Sequence, residues 1–540
     1  MILLSPFFHL MPQKDKKKKT VQQSPKKLVK KKSSLKKMSG LAFSIKKVED
    51  GIAVTRGSVP AGLGKLVYFL DPYQVPTRTF PGIVMASDKK STIIFALAQN
   101  YLLTTDLLVT ILRSFNGSLK TDFVIDVQIS RLLGQSLDIF GNGNFIKKNS
   151  LKKLLPKPQN GIAKRVSVWR PLITGIKVID CLFPIGLGQR QLIIGDRYTG
   201  KTTIAVDTIL SQRKTKMKCI FVSIAQKQSA VNKLISTFKK EQAFHYTTLI
   251  SANASDPVAL QFLAPYTGCS LAEIFSTLGG DSLIVYDDLS KHSVAYRQMA
   301  LLLRKSPGRD AFPSDIFYLH STLLERAGQY FSGSLTALPV IETLGRDVSA
   351  FIPTNIISIT DGQIFLDSGY FNRGILPAVN VSLSVSRVGS KSQYPCLGYM
   401  SKWIKMKITE FRGLESLLSF ADDVDNLTAL KLKFGLRLSE FLCQMKSEVC
   451  SCYDQLLLFA LVFKGALKFV AANKVSMFID FFVSWSNEFL LRHEISLKQY
   501  YVSFSNTWYF NFGDKKFMER KGFVNFYCYI LNLFIKGLPK

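Results

Sequence analysis

Gln191-Leu-Ile-Ile-Gly-Asp-Arg-Tyr-Thr-Gly-Lys-Thr-Thr203 is the stretch that decides the fold of this chain. Its apolar residues 192–194 predict a buried strand. Gly195 to Thr202 then match the pattern G-x-x-x-x-G-K-[ST], and residues 204–210 continue at helical spacing. The order of strand, glycine loop and helix favours a phosphate-binding loop over a glycine-rich turn that matches by chance.

The chemistry of such a loop assigns a role to each part. Backbone N–H groups and the helix N-terminus bind phosphates. Lys201 would reach the outer phosphates, and the Thr202 hydroxyl would ligate Mg²⁺. The predicted nucleotide contacts in the loop are Gly195, Asp196, Arg197, Tyr198, Thr199, Gly200, Lys201, Thr202 and Thr203.

Length and charge predict several domains and a basic N-terminal arm. At 540 residues and 47% apolar residues, it exceeds one hydrophobic core, so two to four domains are expected. The net charge is +33, and residues 14–37 contribute twelve lysines against one acid, Asp15. Such a run is typical of a solvated, disordered arm. A targeting segment, or a contact with anionic lipid or nucleic acid, is the alternative.

The lengths of the apolar runs and the spacing of the cysteines argue against a membrane-spanning protein and against a disulfide-rich or zinc-binding one. No stretch reaches the ~18 uninterrupted apolar residues of a membrane span, which predicts a soluble chain, attached to a membrane at most through partners. The eight cysteines are scattered, and Cys450 and Cys452 form C-x-C rather than a metal pair. Free thiols in a reducing compartment are therefore expected.

Short β-branched runs separated by Gly, Pro and Asp occupy residues 48 to about 140, which predicts a small barrel or a sandwich. From about 165 to 395, strands alternate with helices, which predicts a parallel sheet with helices on both faces and a nucleotide beyond the carboxyl ends of the strands. The predicted strands are Lys65–Leu70, Ser91–Leu97 and Phe123–Ile129 in the first region, and Leu192–Ile194, Cys219–Ile224, Ser282–Tyr286, Ile316–Leu319, Ile356–Thr360 and Ala378–Val385 in the second.

Residues from about 400 onward indicate helices. Apolar side chains recur at three- and four-residue steps from Leu414 to Val424 and again from Leu436 to Leu442. The last sixty residues are rich in Phe, Tyr and Trp and give no assignment.

A carboxylate follows the strand Ser282–Tyr286, where a nucleotide site needs an acid to hold the Mg²⁺ shell. Asp287 is our candidate. The alternative is a helix cap, because Asp288 precedes Leu-Ser and Asp is a frequent cap residue.

Gln226 ends the neighbouring strand, at the place where an ATP hydrolase needs a carboxylate to activate water. An amide can hydrogen-bond water but cannot take its proton, which predicts a site that binds nucleotide and turns it over poorly. The alternative is that the base lies elsewhere, for instance at Glu241 or Glu273.

Arg387 closes the last predicted strand of the core. An arginine at such an edge can reach across a subunit interface and neutralise charge on a transferred phosphoryl group. From spacing alone, a surface arginine is the ordinary alternative.

At these residues the chain resembles the alpha subunits of F-type ATP synthases. The resemblance is strong from about 160 to 392, fainter at 48–159 and 400–450, and unrecognisable in the basic arm and the far C-terminus. The matching runs include Gly195–Thr202, Tyr286–Lys291, Ala295–Met299, Ser306–Arg309, Phe317–His320, Ser334–Thr343, Ile352–Leu366 and Leu383–Ser390.

The resemblance implies a multidomain fold with an N-terminal β-barrel, a central RecA-like α/β domain with a mainly parallel sheet, and a C-terminal helical domain. The expected limits are a basic disordered arm at 1–47, the barrel at 48–145, the RecA-like domain at 146–395, and the helical domain with a diverged tail at 396–540.

It also implies an assembly. Three alpha and three beta subunits alternate in a ring around a central rotating stalk, with a peripheral stalk and a membrane proton channel sector. The alpha site is expected to bind ATP or ADP with Mg²⁺ without turning it over, and no nucleic acid is expected as a partner. The implied location is the matrix face of the mitochondrial inner membrane, with the plastid thylakoid or the bacterial plasma membrane as alternatives.

The resemblance also implies roles for individual residues. Arg387 becomes a finger that completes the beta site in trans, and Ser384 and Ser358 lie near the same interface. Gln444 matches a glutamine beside the adenine. Two positions depart from the family: Tyr198 replaces a loop glutamine, and Lys446 replaces the second adenine glutamine.

Ser384 has a simpler explanation as a small residue packed behind a strand. The sequence is compatible with two other functions. One is a RecA-like hexameric ATPase that translocates RNA or protein, for which residues 48–140 interleave too few basic and aromatic residues. The other is a diverged paralogue that binds nucleotide only structurally.

Overall fold

The computed structural model describes residues 42–49, 51–61, 65–70, 79–88, 90–97, 105–110, 123–127, 133, 136–137, 151–155, 165–418, 425–463 and 465–492. The predicted arm up to residue 41 and the predicted tail beyond residue 492 lie outside the described residues. The chain divides into two units, residues 1–122 and residues 123–540.

An antiparallel barrel forms the described part of the first unit. Its strands are β1 (Ala42–Glu49), β2 (Ile52–Thr55), β3 (Leu66–Leu70), β4 (Thr79–Ser87), β5 (Thr92–Ala96) and β6 (Leu108–Thr110). They close in the order β1-β2-β5-β4-β3-β6. Val67, Phe69 and Ile94 are fully buried in its core. Gly82 faces them, and a Cβ there would lie 2.6 Å from the Phe69 ring. The barrel is thus confirmed over the sandwich.

The structure places the limits of the barrel differently from the sequence. Strand β1 begins at Ala42, inside the segment expected to be a disordered arm, because residues 42–44 pair with β6. The predicted strand at Phe123 exists as β7 (Phe123–Val127), but it pairs with β9 (Leu151–Leu155) rather than with the barrel. The unit boundary accordingly lies at 122/123 instead of 145/146.

A mostly parallel sheet of nine strands organises the second unit. Its strands are β8 (Ser136–Leu137), β12 (Leu192–Gly195), β13 (Lys218–Gln226), β14 (Thr247–Asn253), β15 (Asp281–Asp287), β16 (Gly328–Gln329), β17 (Ser334–Glu342), β18 (Gly362–Leu366) and β19 (Val385–Ser386). The order is β19-β18-β12-β17-β15-β13-β14-β8, with β16 antiparallel to β17 and β19 antiparallel to β18. Strands β10 (Pro171–Leu172) and β11 (Ile185–Gly186) form a separate pair.

Helices connect these strands and form the C-terminal region. They are α1 (Lys177–Leu182), α2 (Lys201–Ser211), α3 (Gln228–Lys240), α4 (Val258–Thr277), α5 (Leu289–Leu302), α6 (Ile316–Leu324), α7 (Phe351–Ile359), α8 (Ser368–Asn372), α9 (Pro395–Leu418), α10 (Asn426–Leu442), α11 (Cys452–Phe463) and α12 (Val475–Arg492).

Helix α4 is the one described helix with the length and hydropathy of a membrane span. Most of it is buried, and it packs against β13, β14 and β15. Its apolar composition is therefore accounted for by its place in the core.

Aromatic side chains join the C-terminal helices to each other. The Trp403 ring contacts Phe434 and Phe463, and Phe441 contacts Phe459 edge-on with centroids 5.5 Å apart. The predicted helical pattern at 414–424 falls partly on α9, which ends at Leu418, and residues 419–424 are outside the described residues.

Three of the six strands predicted for the second unit are confirmed as β12, β13 and β15. The other three predictions are wrong. Residues 316–319 open helix α6 and residues 356–359 close helix α7. Residues 378–385 contribute only a bridge at Val379 and the start of β19. A short apolar, β-branched run has no periodicity that separates a buried strand from a buried helix.

Strand β17 was missed although it lies in the middle of the sheet. It contains Pro339, and a proline argues against a central strand because it cannot donate a ladder hydrogen bond. Pro339 nevertheless pairs with Tyr286 of β15. Strands β14 and β18 were also missed.

Candidate functional site

The phosphate loop joins β12 to α2, as predicted. Gly195 ends β12 where a Cβ would lie 2.7 Å from the Leu366 carbonyl oxygen, so the close approach of β18 requires glycine. Gly200 precedes α2 at φ 93°, in the left-handed region, with open space around it. Glycine is needed there for its backbone conformation rather than for space.

Side chains of the loop fix its shape. The Asp196 carboxylate accepts hydrogen bonds from Thr343 Oγ1 at 2.8 Å and from the Arg346 N–H at 3.0 Å. Thr199 is buried and donates to the Asp196 carbonyl at 2.8 Å. Tyr198 has φ 63° and its side chain is 90% exposed, so it covers no part of the loop. These contacts preorganise the backbone N–H groups.

Lys201 lies inside the loop. Its ammonium donates to the Gly195 carbonyl at 2.9 Å and also to the Asp196 carbonyl. Burial lowers the pKa of Lys201, and the nearby carboxylates of Glu342, Asp288 and Asp287 oppose that shift. A half-buried cation at this position attracts an anionic ligand more strongly than one in water, because the lower local dielectric weakens screening.

Thr202 and Asp287 meet as the sequence predicted. The Thr202 hydroxyl donates to Asp287 Oδ2 at 2.9 Å across 85 residues of chain. Asp287 is buried, and its burial raises its pKa against the opposing effects of Thr202, Lys291 and Lys201. A hydroxyl and one carboxylate suit Mg²⁺, which keeps several waters and takes the rest of its ligands from phosphate oxygens. These two residues would hold that ion.

Asp287 and Asp288, at the end of β15, have different roles, one as the predicted Mg²⁺ ligand and the other as the helix cap. The Asp288 carboxylate caps α5 by accepting the Lys291 N–H at 2.7 Å. Burial raises the pKa of Asp288 to about 6. The cap alternative therefore applies to Asp288, and Asp287 is left facing Thr202.

Gln226 lines the same cleft as Thr202 and Asp287. The cleft has an empty volume of about 640 Å³, a size within the range of small-molecule sites. The lining residues that the structure describes are Thr202, Thr203, Val206, Gln226, Ala230, Lys233, Leu234, Thr237, Asp287 and Lys446. Among them Asp287 is the one carboxylate.

The two alternative bases lie elsewhere. Glu241 ends α3 as its C-cap residue. Glu273 is inside α4 and is held by Arg326 Nε at 2.6 Å and Nη2 at 2.9 Å. Neither lines the cleft. Sequence reasoning missed a third acid, Glu342 at the end of β17, which forms an ion pair with Arg197 beside the loop.

The Glu273–Arg326 pair gives a stability prediction. Arg326 to methionine removes the guanidinium that pairs with the buried Glu273 carboxylate and should lower the free energy of unfolding by about 3–5 kcal/mol. The matched control is Arg373 to methionine, which removes an exposed partner of Glu415 and should cost less than about 1 kcal/mol. Urea denaturation measures both, and equal losses would contradict the assignment.

The side chain of Gln444, the predicted adenine contact, is hydrogen-bonded to backbone groups. Its Nε2 donates to the Gly175 carbonyl at 2.8 Å and to the Glu448 carbonyl, and its Oε1 accepts the Lys177 N–H at 3.0 Å. The structure does not place it among the residues lining the cleft, whereas Lys446 is there.

Arg387 lies at the opposite end of the sheet from the phosphate loop. Its N–H donates to the Asp361 carbonyl at 2.9 Å and Nη1 donates to the Thr360 carbonyl at 3.3 Å, just before β18 begins. The phosphate loop follows Gly195, which pairs with Leu366 at the far end of β18. A five-residue strand spans roughly 13 Å. Arg387 is exposed and does not line the cleft of its own chain.

The two predicted interface serines differ. Ser384 is 2% exposed, and its hydroxyl accepts the Phe365 N–H at 2.9 Å, which favours the structural explanation of a residue packed behind β18. Ser358 is exposed on α7, and its hydroxyl donates to the Asn355 carbonyl at 2.6 Å. Neither lies at the phosphate loop.

Comparison with known proteins gives consistent matches. Residues 175–386 match the nucleotide-binding domain of the ATP synthase alpha/beta family, and residues 393–499 match the C-terminal domain of the ATP synthase alpha/beta chain. The chain is 42% identical over 461 residues to ATP synthase subunit alpha of Ehrlichia canis (strain Jake), covering 82% of this chain and 87% of the relative.

Two further relatives carry the same description. ATP synthase subunit alpha of Rickettsia bellii (strain OSU 85-389) is 47% identical over 378 residues, covering 67% of this chain and 73% of the relative. That of Aquifex aeolicus (strain VF5) is 48% identical over 337 residues, covering 60% of this chain and 66% of the relative.

Proposed function

Since this chain belongs to the alpha subunits of the F-type ATP synthase family, we propose that it binds a magnesium–nucleotide complex without hydrolysing it and lends Arg387 to a neighbouring beta subunit. As an alpha subunit it is part of the rotary ATP synthase and assembles with beta subunits. The non-catalytic role and the arginine are the parts we propose.

One observation carries the proposal. The cleft that contains Thr202 and Asp287 has an amide, Gln226, at the end of β13, and Asp287 is the one carboxylate among the described residues that line it. Gln226 can orient a water but cannot accept its proton. Glu342 lies near Lys201, but its carboxylate is paired with Arg197. Within the described part of the chain, the site therefore has the groups that bind a triphosphate and no available general base.

The position of Arg387 supports its role in trans. It is exposed at the end of the sheet away from its own phosphate loop. Its guanidinium donates one hydrogen bond, to the Thr360 carbonyl, and among the described residues no carboxylate forms an ion pair with it. A guanidinium in this state is available to the phosphate of an adjacent subunit.

The remaining parts of the proposal come from family membership. The bound ligands are ATP or ADP with Mg²⁺, held by the loop residues, Thr202 and Asp287, with Gln444 near the base. Three of these chains alternate with three beta subunits around a central stalk, with a peripheral stalk and a membrane proton channel sector. Ser384 and Ser358 lie near the interface that Arg387 serves.

We propose the matrix face of the mitochondrial inner membrane as the location, with the plastid thylakoid and the bacterial plasma membrane as alternatives. The lysine-rich residues 14–37, predicted as a solvated arm with a targeting segment as one alternative, would serve an organelle location only under that alternative. We keep residue 395 as the proposed limit between the RecA-like and the helical domain. Fractionation of the source cell with antibodies against the chain tests the location.

The metal side of the site is tested by paired substitutions. Asp287 to asparagine removes the carboxylate that faces Thr202, so the affinity for ATP in the presence of Mg²⁺ should fall by about 10–100-fold. Titration calorimetry on the full chain measures this. With EDTA present, the affinity for ATP should be nearly unchanged.

Asp288 to asparagine is the matched control, because asparagine also caps helices and the α5 cap remains. It should keep the Mg²⁺-dependent affinity. If both variants lost affinity equally, or if Asp287 to asparagine had no effect with Mg²⁺, the assignment of Asp287 would be refuted.

A further inference from the structure

Two buried histidines meet where helices α4, α5 and α6 pack together. His292 of α5 is 1% exposed and His320 of α6 is 0% exposed. His292 Nδ1 lies 3.2 Å from His320 Nε2, and His292 Nε2 lies 3.1 Å from the Phe262 carbonyl oxygen of α4. Neither histidine lines the nucleotide cleft. The histidine pair, His292 and His320, therefore joins three helices and has no part in the site described above.

Hydrogen-bond chemistry assigns one tautomer to each ring. A carbonyl oxygen can only accept, so His292 Nε2 carries a hydrogen and His292 Nδ1, in the neutral ring, is an acceptor. His320 Nε2 then carries a hydrogen and donates to His292 Nδ1. His320 Nδ1 is left as a bare nitrogen, and it is buried without a hydrogen-bond partner among the residues that the structure describes. The two N–H groups of the pair thus meet two acceptors while both rings are neutral.

The surroundings of the histidine pair are aromatic. The Phe262 ring stacks on His292 with centroids 5.2 Å apart, and the Tyr266 ring meets His292 with centroids 6.0 Å apart. Among the described residues, neither imidazole forms an ion pair with a carboxylate. The titratable and charged groups on the elements around the pair are Tyr266, Cys269 and Glu273 of α4, Tyr286 of β15, Tyr296 of α5, Asp315, which precedes α6, and Arg326, which follows it.

These neighbouring groups are engaged with each other. The Tyr296 hydroxyl donates to Asp315 at 2.6 Å, and Arg326 Nε pairs with Glu273 at 2.6 Å. The two carboxylates closest to the layer therefore have partners of their own. A proton added to the histidine pair would have no counter-ion among them.

A further proton cannot be added to the pair without loss of a hydrogen bond. On His320 Nδ1 it creates a buried N–H with no acceptor, and on His292 Nδ1 it sets one N–H against another. The added charge is also removed from water, which is unfavourable when no counter-ion is present. Burial lowers the pKa of His292 to about 4, and burial together with the neighbouring His292 lowers the pKa of His320 to about 3. An unperturbed histidine has a pKa of about 6.5, so below that pH the unfolded chain binds more protons and stability falls as the pH falls.

We propose that the histidine pair is an acid-sensitive switch, closed while both rings are neutral and opened when either ring takes up a proton. Closed, it fastens α4, α5 and α6 through its two hydrogen bonds. Opened, it leaves a buried charge and an unpaired N–H where the three helices meet, so the helices separate more easily. Helix α5 begins directly after Asp287 and Asp288, so the switch holds the helix next to the predicted Mg²⁺ ligand. The inference does not depend on nucleotide binding, and its failure would leave the proposed function standing.

His292→Gln tests the switch. A glutamine amide can donate to the Phe262 carbonyl and accept from His320 Nε2, and it has no ring to protonate. Hydrogen exchange of the backbone amides of α5 and α6 in the full chain, followed by mass spectrometry of peptides, reports the opening of these helices by themselves. The exchange rate of the unmodified chain relative to the variant should rise about tenfold from pH 6 to pH 5, because each proton taken up on opening changes the equilibrium tenfold per pH unit.

His245→Gln is the matched control, because His245 is exposed. Its exchange rate relative to the unmodified chain should be the same at both pH values. An equal pH dependence of exchange in the unmodified chain and in His292→Gln would overturn the switch.

Nitrogen-15 NMR of the unmodified chain tests the pair without any substitution. The chain has five histidines, so isotope labelling of histidine alone gives few signals. Two rings should show a hydrogen on Nε2, a bare Nδ1 and almost no titration between pH 7 and pH 5. Fewer than two rings in this state would overturn the proposal, whether or not His292→Gln folds.

Discussion

Replacing Arg387 with alanine should lower ATP hydrolysis by the assembled complex by about 10³-fold or more, the loss typical of a missing arginine finger. Arg387 is exposed, donates from its guanidinium to the Thr360 carbonyl, and lies at the end of the sheet away from its own phosphate loop. The loss should therefore appear in turnover by the complex and not in nucleotide binding by this chain. Steady-state hydrolysis by the purified complex and ATP titration of the isolated variant measure the two effects.

Two controls sharpen this test. Arg387 to lysine keeps the charge but loses the planar fork, so it should recover little of the activity. Arg373 to alanine removes an exposed arginine from its pair with Glu415 and should leave turnover near normal. Full activity in the Arg387 to alanine complex would remove the arginine from the mechanism.

The second large effect is expected at Lys201. Lys201 to alanine should weaken MgATP binding by the isolated chain on the order of 100-fold, because a charge-assisted bond to phosphate is lost in a partly buried loop. The ammonium already lies within the loop, 2.9 Å from the Gly195 carbonyl, so little rearrangement is needed to reach a ligand. Titration calorimetry or displacement of a fluorescent ATP analogue measures the change.

Lys216 to alanine is the matched control, since Lys216 is exposed in the turn that follows α2. It should bind MgATP normally. The unfolding midpoint of the Lys201 variant should stay near that of the unmodified chain. Retained affinity in the Lys201 variant would mean that the loop does not hold the phosphates.

Local signals made the phosphate loop predictable. A strand, two glycines, a lysine and a threonine lie within residues 192–202, and the structure forms the strand, the loop and the helix there in that order. Asp287 was predictable for a related reason, because the carboxyl ends of parallel strands meet at one edge of a sheet. The barrel followed from closely spaced strands, and the resemblance decided it over a sandwich.

Elements whose identity depends on distant contacts were not predictable. Pro339 argued against a strand, yet β17 is central because β12 and β15 flank it. Residues 316–319 and 356–359 resemble strands in composition and lie in helices, with Ile316, Ile356 and Ile359 buried and Tyr318 and Ser358 exposed. Runs this short have no periodicity that separates a strand from one side of a helix.

The site predicted from the sequence was incomplete because some of its residues reach it only through distant contacts. Glu342 and Lys446 reach the nucleotide region from two separate parts of the chain. Glu342 ends β17, which was not identified as a strand. In the sequence, Lys446 is only a departure from a family glutamine, and its position in the cleft depends on how the segment after α10 packs on Gly175.

The fate of bound ATP tests the central claim most directly. The full chain is mixed with Mg²⁺ and less than one equivalent of terminally labelled ATP, quenched at intervals from seconds to an hour, and the label is separated into ATP and free phosphate. Gln226 to glutamate is run in parallel as a variant that restores a carboxylate. We expect the unmodified chain to retain its label as intact ATP throughout, because no base is available to activate water. Conversion of the bound label to free phosphate by the unmodified chain within the hour would contradict the account.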